Sequence, residues 1–155
     1  MRNKNVDSVY LKMAEVYAQL SYARRRKVGA IITKAGRIIS TGFNGTPTGL
    51  PNLCEEYTCF SAACGCIDIC SNPTTRTLPE VVHAEINAIL FAAKHGNATN
   101  GCTMYLTLSP CIECAKAIIQ AGIVRVIYTE VYRDTAGIEL LKLADIEIIS
   151  KKINK

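Results

Sequence analysis

The chain contains no tryptophan, and aromatic residues make up only 6% of its 155 residues. It has no basic stripe interleaved with aromatics, so a stacking platform for single-stranded nucleic acid is not expected. No apolar run approaches the roughly 18 to 20 residues that a membrane-spanning helix needs, so no membrane role is expected either. The start, Met1-Arg2-Asn3-Lys4-Asn5, leads straight into a helix-patterned segment and shows no signal peptide. A cytoplasmic chain (host cytoplasm if viral) is therefore expected. There is no internal repeat and no low-complexity tract. Charged residues are only 20% of the chain against 49% hydrophobic, which argues against disorder and for a folded core. The net charge of +5 is modest and suits a phosphorylated small molecule as well as a nucleic acid.

Cysteine, by contrast, is abundant, with eight in the chain. Without an export signal, metal binding explains them better than disulfides. Two of them fall in Pro110-Cys111-Ile112-Glu113-Cys114, downstream of His83-Ala84-Glu85. One imidazole and two thiolates give Zn²⁺ three protein ligands and leave a fourth tetrahedral position for water. A structural zinc knuckle would supply a fourth protein ligand close to the other three. Glu85, two residues past the histidine, is the proton shuttle such an open site needs. H-A-E followed by P-C-x-x-C is the pattern of zinc enzymes that deaminate cytosine or adenine rings.

The rest of the chain reads as one domain, 1–155, with a Cys-rich insertion at about 52–80. Val6, Val9, Tyr10, Met13, Val16, Tyr17 and Leu20 recur at three- and four-residue steps, the spacing of an amphipathic helix. Val28–Thr33 and Arg37–Gly42, separated by Lys34-Ala35-Gly36, predict a hairpin. Helices are expected over Val82–Lys94, Cys111–Gln120 and Thr135–Leu143, and strands over Thr103–Leu108, Val124–Thr129 and Ile146–Ser150. That order implies a mixed five-stranded sheet with helices on both faces, a three-layer α/β fold. His83 and Glu85 then open one helix, and Cys111 and Cys114 another. Helix N-termini favour thiolates. Zinc held there would bring the pKa of a bound water down towards about 7.

Further residues carry a resemblance to the deoxycytidylate (dCMP) deaminase family, within the zinc-dependent cytidine deaminase-like fold. They are Gly42-Phe43-Asn44-Gly45-Thr46-Pro47-Thr48-Gly49, Val82-His83-Ala84-Glu85-Ile86-Asn87-Ala88-Ile89 and the run from Tyr105 through Cys114 to Ile123, with Val28-Gly29-Ala30 after a basic residue. The resemblance spans roughly 8–148 apart from the insertion. It implies hydrolysis of dCMP to dUMP and ammonia, supplying thymidylate synthesis in cells or large DNA viruses. His83, Cys111 and Cys114 would hold the catalytic zinc, and Glu85 would shuttle protons to ring N3 and then to the departing amine. Asn44 would bond the deoxyribose 3′-hydroxyl, the Ala84 N–H the base O2, and the Ser109 carbonyl the exocyclic amine. A homohexamer, activation by dCTP and inhibition by dTTP with Mg²⁺ follow from the same resemblance. The rival readings are an enzyme acting on adenosine in tRNA, or on another base or pterin-like ring, and a non-catalytic zinc protein that binds nucleotides.

Other signals are softer. Asn44-Gly45 also reads as a turn with positive φ. Arg24-Arg25-Arg26-Lys27 ends the first predicted helix, where cations oppose the dipole, and Arg26 or Lys27 is expected to touch a substrate or effector phosphate. Tyr132 is read as lining the nucleotide pocket or as a packed aromatic. Cys54, Cys59, Cys64, Cys66 and Cys70 could close a second zinc site, with Cys54, Cys59 and Cys70 the first choices and free thiols the alternative. His95 is an extra ligand or a helix cap. Cys102 reads as a small buried residue. The end, Lys151–Lys155, reads as a polar tail.

Overall fold

The computed structural model describes residues 6–58 and 74–153. Its main sheet is built from β1 (Gly29–Lys34), β2 (Arg37–Phe43), β5 (Thr103–Leu108), β6 (Arg125–Glu130) and β7 (Glu147–Ser150) in the order β2-β1-β5-β6-β7. β1 runs antiparallel to β2 and β5, whereas β5, β6 and β7 are parallel. The sheet is thus mixed, as the element order predicts. Alternation along the strands decides what covers each face. Ile31, Tyr105 and Ile127 point to one side and pack on Leu11 and Ala14 of α1 (Val6–Ala18). Ala30, Ile32, Met104, Leu106, Val126 and Tyr128 point to the other. There they meet α2 (Ala84–Lys94), α3 (Ile112–Gln120) and α4 (Ala136–Leu143) through Ala88, Ala115, Ile118, Ile138 and Leu141.

The β1–β2 hairpin turns on Ala35 at φ 50° and Gly36 at φ 75°, the two positive-φ residues that a two-residue turn requires. Gly42 has a different task. A Cβ there would come within 2.4 Å of Ala84 O and 2.5 Å of Ala88 N, so only glycine lets α2 lie this close on β2. Asn87 fixes the same contact by donating to Phe43 O at 2.7 Å. Across the sheet, β5 and β6 deliver the chain to α3 and α4 at their carboxyl ends, where ligands commonly bind in α/β folds.

The structure departs from the sequence reading in three places. α1 stops at Ala18, well before Arg24–Lys27, so those cations do not cap its dipole. Val16 and Leu20 carry the apolar period onward but are exposed, and the chain turns at Ser21, whose hydroxyl donates to Asn44 O at 2.7 Å. α2 begins at Ala84 rather than Val82 because Val82 is held in a backbone bridge to Gly45. Within the insertion, which has no sequence periodicity, β3 (Glu55–Thr58) and β4 (Thr74–Thr77) form an antiparallel ribbon apart from the main sheet.

Asp7 ties α1 to the sheet. Its carboxylate accepts both terminal nitrogens of Arg125 at 3.1 and 3.0 Å and the Tyr105 hydroxyl at 2.9 Å. The Arg125 hydrogen bonds hold the Asp7 carboxyl below its ordinary value, despite the opposing effect of burial. A depressed carboxyl pKa stabilises the fold above the unfolded pKa, and that stabilisation is lost as pH falls through the lower folded value. We expect Asp7→Asn to cost about 2 kcal/mol at pH 7, because Arg125 is left largely buried without its bidentate partner. Urea unfolding should show the gap to wild type narrowing below about pH 4. A gap independent of pH would assign the loss to packing instead.

Candidate active site

The three metal-ligand candidates meet at the first turns of α2 and α3. His83 is the N-cap of α2 and Cys111 the N-cap of α3, and neither side chain caps its own helix. Cap positions that usually satisfy helix N–H groups are given over to ligands instead. His83 Nδ1 lies 3.6 Å from Cys111 Sγ and 3.3 Å from Cys114 Sγ, and the three ligand atoms lie within 4.8 Å of one another. Tetrahedral zinc, with bonds of about 2.3 Å to sulfur and 2.0–2.1 Å to nitrogen, sets such S···N pairs about 3.5 Å apart. The geometry and the donor chemistry both fit zinc. Among the described residues this is the one His/Cys/Asp/Glu group close enough to share an ion.

The electrostatics are those of a ligand cluster. Hydrogen bonds from Cys114 and His83 hold the Cys111 thiol far below the ordinary thiol range. That same contact, with burial, pushes Cys114 up, and the Cys111 bond raises His83. Both sulfurs must be thiolates to bind zinc, so metal uptake releases the proton that they otherwise share. Glu85 lies on the second residue of α2 and is only 4% exposed. Burial pushes its carboxyl up to about 7. A proton carrier working at neutral pH needs a pKa in that range.

His83, Glu85 and Cys111 line one cavity of about 540 Å³, together with Asn44, Ala84, Ser109 and Tyr132. The Gly45–Val82 bridge, with N···O distances of 3.1 and 2.9 Å, sets the Asn44 loop beside His83. Asn44 is not at positive φ, so the turn reading of Asn-Gly does not hold. Its Oδ1 accepts the Val28 N–H at 2.8 Å and its Nδ2 donates to Arg26 O at 2.9 Å, which locks the amide at the cavity wall. Ser109 is buried, and its Oγ accepts the Tyr132 N–H at 2.7 Å, fixing the loop that carries Tyr132 into the cavity. Arg26 lines the cavity and pairs with Glu130. Lys27 lies outside it, donating to Gln19 O at 3.3 Å.

Sequence reasoning missed Arg25, Arg76, Arg133 and Glu55, which also line the cavity. Arg25 lies in the Arg24–Lys27 run but is not the residue that the sequence singles out there, and no local pattern marks Glu55, Arg76 and Arg133, which come from three other segments. Cys54 is buried with Ala23 and Val81, and burial raises its thiol pKa. Cys59 and Cys70, the other first-choice ligands of a second zinc, lie outside the described residues, as do Cys64 and Cys66. His95 caps α2, its Nδ1 2.9 Å from Phe91 O, and Cys102 is a fully buried core residue. No helix among the described residues is long and apolar enough to cross a membrane.

Residues 4–130 match the family model described as the cytidine and deoxycytidylate deaminase zinc-binding region. A deoxycytidylate deaminase of Enterobacteria phage T4 is 37% identical, the match covering 96% of this chain and 92% of the relative. That of Mycobacterium phage D29 is 35% identical over 83% of this chain and 97% of its own. The crystal structure of dCMP deaminase from the cyanophage S-TIM5, in complex with dCMP and dUMP, superposes with a TM-score of 0.81 at 36% identity, covering 97% of this chain and 100% of that one. The fold, the His83–Cys111–Cys114 cluster and these relatives agree: the chain belongs to the deoxycytidylate deaminase family of zinc-binding deaminases.

Proposed function

We propose that this chain hydrolyses dCMP to dUMP and ammonia. One observation carries the reading: a single cavity is lined both by the buried Glu85 with the zinc-ligand candidates His83 and Cys111 and by four arginines, Arg25, Arg26, Arg76 and Arg133. A pyrimidine suits the first group and a phosphate monoester, with about −1.5 to −2 charge, the second. The phage T4 and cyanophage relatives support the choice of substrate.

His83, Cys111 and Cys114 would hold a zinc ion, which would supply the Lewis acidity that lets water act as a nucleophile at neutral pH. Glu85 takes a proton from the attacking water and passes it to ring N3 as the oxygen adds to C4, then carries the hydroxyl proton of that adduct to the amine as the C4–N bond breaks, leaving the keto product and ammonia. The Ala84 N–H, at the first position of α2 where helix amides lack intrahelical partners, donates to the base O2. The Ser109 carbonyl accepts from the exocyclic amine. Asn44 has spent one amide N–H on Arg26 and turns the other to the deoxyribose 3′-hydroxyl. Arg26 and its neighbours take the phosphate, and Tyr132 flanks it.

Regulation by dCTP and by dTTP with Mg²⁺, a homohexamer, a second zinc in the insertion and a cytoplasmic setting rest on the family resemblance and belong to the same proposal. Ammonia release from dCMP, deoxycytidine and an anticodon-loop RNA, alongside metal counting, tests it. dCMP should exceed deoxycytidine in kcat/KM by about 10²-fold, since charged hydrogen bonds to phosphate are worth ~3 kcal/mol together. dCTP should raise the dCMP rate and dTTP lower it. Zinc-loaded protein that ignores dCMP would move the assignment to tRNA adenosine, if the RNA is deaminated, or to nucleotide binding.

A further inference from the structure

We infer that Glu55 is a positioning residue that sets the phosphate end of the cavity, acting through the Arg24–Arg26 segment; the inference rests on the dCMP reading above. Glu55 opens β3 and is buried at 8% exposure. Its Oε1 accepts the Arg24 N–H at 3.0 Å and the Arg25 N–H at 3.1 Å, and its Oε2 lies 3.2 Å from the same Arg24 nitrogen. Thr77, opposite Glu55 in the ribbon register, accepts Arg25 Nη1 on its Oγ1 at 3.4 Å. The backbone and side chain of Arg25 are therefore both tied to the β3–β4 ribbon.

That tie matters because Arg24–Lys27 lies in neither helix nor strand, so no regular ladder fixes it. It matters also because the cavity arginines are not equivalent. Arg26 is paired with Glu130 and Arg76 with Glu56, whereas Arg25 and Arg133 make no ion pair among the described residues. Two uncompensated guanidinium groups match the charge of a phosphate monoester. Arg133 is placed by the Tyr132 ring, its guanidinium 5.7 Å from the ring centroid. Arg25 is placed by Glu55 and Thr77. A carboxylate inside an anion pocket would ordinarily repel phosphate. Here its oxygens are occupied by two consecutive backbone N–H groups, the sort of concavity that binds anions, and it acts as a fixed brace.

The consequence runs against simple electrostatics. Removing a negative charge should tighten phosphate binding, yet Glu55→Ala should raise the KM for dCMP about tenfold, equivalent to ~1.4 kcal/mol, with kcat at saturation and zinc content unchanged. Glu55→Gln retains an oxygen in the Oε1 position, which alone reaches both amides, and should stay within about threefold of wild type. Thr77→Val, at an exposed position that tests the same arginine without disturbing the fold, should raise KM about threefold. Calorimetric binding of dUMP and deoxyuridine supplies a second readout, in which Glu55→Ala should weaken only the phosphorylated ligand. A parallel loss of both ligands, tighter dCMP binding in Glu55→Ala, or no rescue by Glu55→Gln would overturn the inference. Wild-type protein that fails to deaminate dCMP would overturn the deaminase reading alone. The dUMP arm would still decide Glu55, equal affinity of wild type and Glu55→Ala counting against it.

Discussion

Glu85→Gln should lower kcat on dCMP by about 10³-fold or more while leaving zinc bound and dCMP affinity within a few-fold of wild type. The substitution is isosteric, so the packing of a residue only 4% exposed survives. Glu85 is not one of the three ligand atoms that converge, so the metal cluster keeps its donors. What the amide cannot do is carry a proton. General acid–base catalysis typically contributes 10²–10⁴-fold, and in the proposed mechanism one carboxyl serves both ring N3 and the leaving amine, which places the expected loss in the upper half of that range. Burial pushes the carboxyl up to about 7, towards the range in which one group can both accept and donate a proton. Steady-state kinetics with metal analysis on the same preparation checks this. A kcat within tenfold of wild type would remove Glu85 from the proton path. Loss of zinc would show instead that the carboxyl supports the ligands.

The metal end of the site was legible because it is local. His83 and Glu85 share one helical turn, as do Cys111 and Cys114, so short spacings reproduce the spatial cluster. The sheet was legible for a related reason: Thr103–Leu108 and Arg125–Glu130 are apolar on both faces because helices cover both sides. The phosphate end was not. Arg25, Arg76 and Arg133 are distant in sequence: the β3–β4 ribbon brings Arg76 beside the segment before β1 that holds Arg25, and Arg133 comes from the loop after β6. Only Arg26 of that group was singled out from sequence, and Lys27 beside it points away to Gln19. Periodicity also overran α1, since Leu20 keeps the helical spacing beyond Ala18 while 54% exposed, and Val16 within the helix faces outward at 69%. Asn44 shows the opposite error. Asn-Gly is a turn signal by propensity, but tertiary partners at Val28 and Arg26 claim its side chain and hold its backbone out of the left-handed region.

Gly137→Ala should weaken metal binding, although it lies outside the cavity and ligates nothing. By helix propensity alone an alanine inside α4 would stabilise it by up to about 1 kcal/mol. The surroundings reverse the sign. A Cβ at Gly137 would stand 2.1 Å from Pro110 O, 2.7 Å from Cys111 C and 2.8 Å from Cys111 O. All three atoms are backbone, so no side chain can rotate away. Cys111 O also accepts the Ala115 N–H at 2.9 Å, which anchors the start of α3. Relief therefore requires α4 to back away or the Pro110–Cys111 peptide to move by about 1 Å, and a displacement of that size at a reacting centre can cost 10²-fold in rate. Zinc distances tolerate only about 0.2 Å, so the first effect should be on the metal: affinity falling tenfold or more, partly restored by excess zinc, with kcat/KM down about 10²-fold at limiting zinc. Competition with a chromogenic chelator measures the affinity, and thermal melting in apo and zinc-loaded protein separates metal loss from a general loss of fold. Unchanged zinc affinity and activity would mean that α3 and α4 can separate without disturbing Cys111. The reverse would locate the rigidity of the metal site in the contact between α3 and α4 directly behind Cys111.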